Sequence, residues 1–213
     1  VLVESMRELF PKGMQKDEWG NYFYKVGESR SIFAAHLDTV SKDYVTVTHV
    51  FDQNLIKTDG KTTLGADDKA GVTVLLWMIQ NNVPGLYYFF IGEEVGCIGS
   101  RKADPEFFKN VGYGIQFDAP ENNMISEFLM NRQMFDRDSE FFNVGGRLIT
   151  EHFPSDTKYH KHPYTDIYMV NQLFDIPCFN ISIGYYRYHT ANEYVVVEDT
   201  YNGIKVGKLM IEG

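Results

Sequence analysis

The chain is predicted to be α/β, a three-layer α/β/α sandwich around a central mixed, mostly parallel sheet, and three observations carry that expectation. Continuously apolar runs such as residues 86–91 (LYYFFI) read as strands covered on both faces. Between them lie segments with helical spacing, the clearest running from about Ala66 through Val72, Val74, Leu75, Leu76, Met78 and Ile79. Strands and helices alternate, with no internal repeat, low-complexity stretch or linker, so residues 1–213 are expected to form a single domain.

Composition narrows the function classes. With 44% apolar and 23% charged residues, the chain is globular and long enough to bury a sizeable core. A formal net charge of −9, with no Lys/Arg cluster, argues against a nucleic-acid surface and favours a cation or cationic ligand. No apolar run reaches the roughly 18–20 residues that span a bilayer, and the N-terminus lacks a signal-peptide pattern. No membrane partner and a cytoplasmic location are therefore expected. Cys97 and Cys178 are too few for a disulfide framework or a thiolate zinc site, and both read as core residues.

Taken in order, residues 1–10 (VLVESMRELF) suit a short packing helix that ends before Pro11. Turns at Trp19-Gly20-Asn21 and Gly27-Glu28-Ser29 frame Tyr22 to Val26 and Ser31 to Ala35, which together read as a hairpin. The second of these runs delivers His36 and Asp38, two residues apart on one side of an extended chain. Residues 45–57 read as a second hairpin, with His49 in a structural role. The helix that begins at Ala66 is preceded by Thr62-Thr63-Leu64-Gly65 and carries Asp67 and Asp68 at its start, where free backbone N–H groups and the dipole favour ionised carboxylates. The same pair would also serve as an ordinary acidic cap.

After a stop at Asn81 to Gly85, the 86–91 strand exits into Gly92-Glu93-Glu94, and a further strand over 112–117 exits into Asp118-Ala119-Pro120. A strand over Met124 to Phe128 and a helix from Asp138 or Ser139 through Phe153 follow. His160-Lys161-His162-Pro163 has the composition of a metal patch but no strand-end context, and reads as a solvated loop. A helix over 164–174, a strand over 178–183, an aromatic loop carrying His189 and a closing helix from Val197 to Met210 complete the chain.

Six acids and histidines, His36, Asp67, Glu93, Glu94, Asp118 and His189, thus fall at strand ends or a helix start, where open α/β sheets build their sites. Two histidines with several carboxylates and no thiolate suit zinc or a similar divalent ion. The stretches AHLDTV (35–40), TLGADDKAGV (63–72), IGEEVGCIGS (91–100), FDAP (117–120) and YRYHTANEYV (186–195) resemble, in order, the co-catalytic zinc exopeptidases, the superfamily of peptidase T, carboxypeptidase G and the tetrahedral aminopeptidases. The resemblance implies two divalent ions, with zinc as the metal. Asp67 would bridge them, His36 and Asp118 would complete one site, and Glu94 and His189 the other. It further implies Glu93 as general base, Asp38 as a support for the site of His36, and a cis peptide between Asp67 and Asp68.

The segment between His36 and Asp67, and that between Asp118 and His189, are too short for the inserted domains of the tetrahedral and peptidase T types. A catalytic domain without a lid is expected. The reading is a metallo-exopeptidase, an aminopeptidase that hydrolyses short peptides through a metal-bound hydroxide. One alternative is a zinc deacylase or carboxypeptidase acting on N-acylated amino acids or dipeptides, and another is a glutaminyl-cyclase-like transferase, which usually holds one metal. A third, of a different class, is a non-catalytic metal-binding homologue, which would require decayed ligands. Side-chain specificity and oligomeric state have no signature in the sequence.

Overall fold

The computed structural model describes residues 6–41, 46–162 and 165–212. The strands in chain order are β1 (Gln15–Lys16), β2 (Tyr22–Val26), β3 (Ser31–His36), β4 (His49–Asp52), β5 (Leu55–Thr58), β6 (Gly85–Phe90), β7 (Tyr113–Ala119), β8 (Met124–Leu129), β9 (Arg132–Gln133), β10 (Lys158–His162), β11 (Cys178–Ser182), β12 (Tyr185–Tyr186) and β13 (Tyr194–Val196). The α-helices are α1 (Ala66–Gln80), α2 (Arg147–His152), α3 (Asp166–Phe174) and α4 (Val197–Glu212).

The main sheet runs β1-β2-β6-β3-β7-β11-β8-β10, with β9 paired to β8. Its centre, β6, β3, β7 and β11, is parallel, while β2 and β8 lie antiparallel to their inner neighbours. Every residue of β3 and β6 is buried, as their unbroken apolar runs require of strands covered on both faces. Alternation along β7 sends Gln116 and Phe117 to opposite faces. On one face Gly203 and Gly207 let α4 settle onto Phe117 and against Val74 and Met78 of α1, where a Cβ on Gly207 would lie 2.7 Å from Met78 Sδ. On the other face the Ile167 N–H of α3 donates to Gln116 Oε1 at 2.6 Å. The three layers are those expected.

A smaller antiparallel sheet, β12-β13-β5-β4, stands beside the main one. Its β4–β5 pair is the hairpin read at 45–57, turning at Gln53-Asn54, with Val45 outside the described residues. His49 is exposed on β4. The helix expected over 138–153 is present as a π-helical turn, Phe142–Gly146, running into α2.

Two expectations need correction. The 22–26 and 31–35 runs are not a hairpin, because β6 lies between β2 and β3 and pairs with both. Burial of β3 on both faces demands a neighbour on each edge, and β6 and β7 supply them. Residues 158–162, read as ending in a loop, form β10, which extends the edge of β8 in parallel; Pro163 and Tyr164 lie outside the described residues. Of the helix expected over residues 1–10, the described part shows Met6 helical and a 3-10 turn, Arg7–Leu9, after it, with Leu9 exposed and Phe10 packed on Tyr22 and Phe89. Residues 1–5 lie outside the description.

The parallel strands all end at one edge of the sheet. His36 is the last residue of β3, Asp118 lies at the end of β7, and Glu93 follows β6 by three residues. The segment after β11 and β12 returns His189 to the same edge.

Candidate metal centre

Asp67 stands at the centre of the cluster. Its Oδ1 is 3.1 Å from His36 Nε2, and its Oδ2 is 3.1 Å from His189 Nε2. His36 Nε2 lies 3.5 Å from Asp118 Oδ1, and His189 Nε2 lies 2.9 Å from Glu94 Oε1. Two three-residue groups able to hold an ion result, His36–Asp67–Asp118 and Asp67–Glu94–His189, sharing one carboxylate that offers one oxygen to each. A third group, His36–Glu93–Glu94, overlaps them. Glu93 Oε2 is 4.0 Å from His36 Nε2, so it borders the cluster.

The local chain explains each placement. His36 Nδ1 is 2.9 Å from the Asp38 carbonyl, which can only accept, so Nδ1 carries the proton and Nε2 is left as a donor atom for a cation. The Asp38 carboxylate accepts from the Glu93 and Glu94 N–H groups, both at 3.1 Å. It therefore aims the two acids rather than joining the cluster. Asp118 is fixed through Oδ2 by Thr165 Oγ1 at 2.5 Å and Gln116 Nε2 at 3.0 Å, which leaves Oδ1 facing His36. His189 and Arg187 both adopt positive φ, 60° and 53°, a conformation that non-glycine residues hold only where the surroundings impose it. The peptide between Asp67 and Asp68 is cis.

Several residues without an assigned role in the sequence prove to hold the site. Glu193, 1% exposed, accepts from Leu64 and Gly65 N–H at 2.8 Å through Oε2 and from Asp67 N–H at 3.1 Å through Oε1. It is the side-chain cap that the start of α1 otherwise lacks. An acid four residues after His189 is the only sequence signal for it. Asp68, fully buried, accepts from His36 N–H and Gly71 N–H, both at 3.1 Å, and so ties β3 to α1. Lys69 Nζ reaches the Gly65 carbonyl at 3.0 Å and places a cation beside Glu193 and Asp67.

Without a cation, the cluster holds protons. Burial opposes the charge of His36, but Asp118, Asp38 and Asp67 raise it well above the usual imidazole value. Its bond to Asp67 lifts His189 to about 9. Burial, then the neighbouring Asp118, lifts Glu93 to about 9, and burial raises Asp118 and Glu94 as well. Only Asp67 moves the other way, since bonds from His189 and His36 outweigh its burial and keep it ionised. A crowd of carboxyls that cannot all ionise beside each other is what a dication would relieve. The donor set, its shared carboxylate and the orientation of His36 all fit such ions.

No family model matches the chain. Over 101 residues, 44% of this chain, it is 37% identical to the uncharacterized protein YqjE of Bacillus subtilis (strain 168), and the match spans 27% of that protein's length. Among solved structures it is similar to the aminopeptidase PepT of Bacillus cereus ATCC 10987, with a TM-score of 0.77 and 17% identity over 99% of this chain and 91% of that one. A tripeptidase from Staphylococcus aureus subsp. aureus Mu50 gives 0.71 at 15% identity over 100% and 92% of the two chains. The TET aminopeptidase of Thaumarchaeota archaeon SCGC AB-539-E09 gives 0.70 at 14% over 98% and 89%. The chain has the fold of these enzymes, the zinc-exopeptidase fold that its motifs imply.

Proposed function

We propose that the chain is the catalytic domain of a metallo-exopeptidase, an aminopeptidase that removes residues from short peptides. The observation that carries the proposal is Asp67, whose two carboxylate oxygens each belong to a separate donor group. His36, Asp67 and Asp118 would hold one divalent ion, and Asp67, Glu94 and His189 a second, with zinc the metal suited to these donors. Ions held there would polarise the scissile carbonyl and make water acidic.

The chain's own residues divide the remaining work. Glu93 takes a proton from the attacking water and returns it to the leaving amine, a role that its place at the cluster's rim allows. Asp38 keeps Glu93 and Glu94 aimed by binding their N–H groups. Thr165 and Gln116 hold Asp118, and Glu193 holds the backbone of Asp67. The segment between Asp118 and His189 is taken up largely by strands and helices of the sandwich, so we read the domain as lidless and its substrates as small peptides. Among the described residues, no helix is long and apolar enough to cross a membrane.

The free amine of a peptide suits an acidic rim better than a carboxylate does. An activity screen of the zinc-reconstituted protein on amino-acid anilides and their N-acetylated counterparts tests this. Faster cleavage of the free-amine substrates is expected. Equal or faster cleavage of the acetylated ones would replace the aminopeptidase reading with a deacylase.

A further inference from the structure

We propose that Asp166, acting through Ser100, is a positioning residue for Glu93, an inference that rests on the peptidase reading above. The loop from Glu93 to Ser100 closes tightly on itself. Gly96 and Cys97 N–H donate to the Glu93 carbonyl at 2.9 and 3.0 Å, Ile98 N–H to Gly92 at 2.9 Å and Gly99 N–H to Ile91 at 2.8 Å. Asp38 secures its leading end, as described. Its trailing end is Ser100, fully buried, whose hydroxyl lies 2.5 Å from Asp166 Oδ1 and 3.3 Å from the Cys97 carbonyl.

A hydroxyl has one proton to give. With the shorter contact to Asp166, Ser100 donates there, which fixes its Oγ against the Cys97 carbonyl; Cys97 Sγ in turn sits 3.8 Å from Glu93 Oε1, and its backbone is left-handed at φ 55°. The chain of contacts is therefore Asp166, Ser100, Cys97, Glu93. The preceding residue, Thr165, bonds Asp118. Two consecutive residues at the start of α3 thus touch a candidate ligand and the loop that carries the base.

The arrangement is costly in the fold. Asp166 is 0% exposed, and among the described residues its Oδ2 has no hydrogen-bond partner. A buried carboxyl with an unmet oxygen weakens the native state, whereas an apolar residue there would leave Ser100 the Cys97 carbonyl as acceptor. Local cost of this kind at the border of a site points to function.

The test uses the full chain reconstituted with zinc and compares Asp166→Ala, Ser100→Ala, their double variant and Asp166→Asn by kcat, KM, bound zinc and melting temperature on an amino-acid anilide. Asp166→Ala and Ser100→Ala are each expected to lower kcat about 10- to 100-fold, as small misplacements of catalytic groups do, with KM and bound zinc at the wild-type level. The double variant should be no worse than either single one, because both break one link. Asp166→Asn keeps an acceptor at Oδ1 and should recover most of kcat. Wild-type kcat in both alanine variants, multiplying losses in the double variant, or an Asp166→Asn enzyme as slow as Asp166→Ala would overturn the proposal. Should Asp166→Ala not fold, Ser100→Ala set against Asp166→Asn decides, a slow first and a fast second supporting it and equal rates refuting it. If wild-type protein cleaves neither free-amine nor acylated substrates, the peptidase reading fails by itself. The positioning claim is then judged from a crystal structure of Ser100→Ala: a displaced Glu93 carboxyl upholds it and an unmoved one refutes it.

Discussion

Replacing Glu193 by Gln should cost the fold far more than its conservative chemistry suggests. In the native protein one carboxylate satisfies three N–H groups at the start of α1, two through Oε2 and one through Oε1. Gln can at best keep its carbonyl oxygen in the place of Oε2, which leaves its NH2 facing the Asp67 N–H, donor against donor. Bonds to a charged acceptor are worth about 1.5–3 kcal/mol each against about 1 kcal/mol for neutral ones, so two weakened bonds and one orphaned buried donor sum to about 3–5 kcal/mol. Loss of the negative charge at the helix start adds to this. For a chain of this length, such a deficit lowers the melting temperature by about 10 °C or more. Urea unfolding of the metal-free protein, followed by circular dichroism, measures it directly. Zinc affinity should fall in parallel, since the loosened backbone is that of Asp67. A Glu193→Gln protein within about 0.5 kcal/mol of wild type, with unchanged zinc affinity, would show that the three contacts do not hold the site.

Glu93→Gln should lower kcat by about 10²–10⁴-fold at full metal content, whereas Glu94→Gln should lose metal and regain part of its activity as zinc is raised; near-native turnover of the first would remove Glu93 from the mechanism. Metal binding should release protons, because Glu93 and His189 both sit at about 9 in the metal-free protein, and zinc affinity should rise with pH up to that value, as calorimetry in buffers of different ionisation enthalpy can record. The same two shifts are upward from 4.5 and 6.5, so the folded state binds more protons than the unfolded one in these windows; the metal-free protein should lose stability as pH rises toward 9 and recover it on zinc addition. Gly71→Ala, normally a gain within a helix, should destabilise by about 1–3 kcal/mol in a denaturant titration, because the added Cβ would lie 2.3 Å from the Phe117 carbonyl and 2.5 Å from Asp68 Oδ1.

The layers and the cluster were legible in the sequence for one physical reason: a strand buried on both faces shows an unbroken apolar run, and the residue at its end is where polarity returns. His36, Glu93 and Asp118 were found that way, and the structure brings them together with Asp67, Glu94 and His189. Strand neighbours leave no such trace. Nothing in residues 22–36 says that β6, made much later in the chain, will come between them. Residues 158–162 carry so few apolar side chains that an edge strand and a loop look alike. The supporting residues were harder still. Glu193, Asp68 and Asp166 act on backbone N–H groups or on a hydroxyl contributed by distant segments, and local periodicity encodes none of those meetings. Asp38 is expected beside His36, but the partners of its carboxylate, two N–H groups of another strand's exit, follow only from the register of β3 against β6.

The insertion of β6 between β2 and β3 also bears on how the protein is made. During synthesis, the apolar segment SIFAAH (31–36) emerges with both hydrogen-bonding edges open and waits for partners supplied by residues 85–90 and 113–119. Pairings so remote in sequence raise contact order and slow folding, and an uncovered apolar strand in that interval invites association with other nascent chains. The donor atoms of the cluster meet only when this sheet has closed, since they come from His36 at one extreme and His189 at the other. A divalent ion held there could therefore not seed the fold from any contiguous stretch; it would lock a scaffold already assembled, and metal loading would be a late event in the life of the chain.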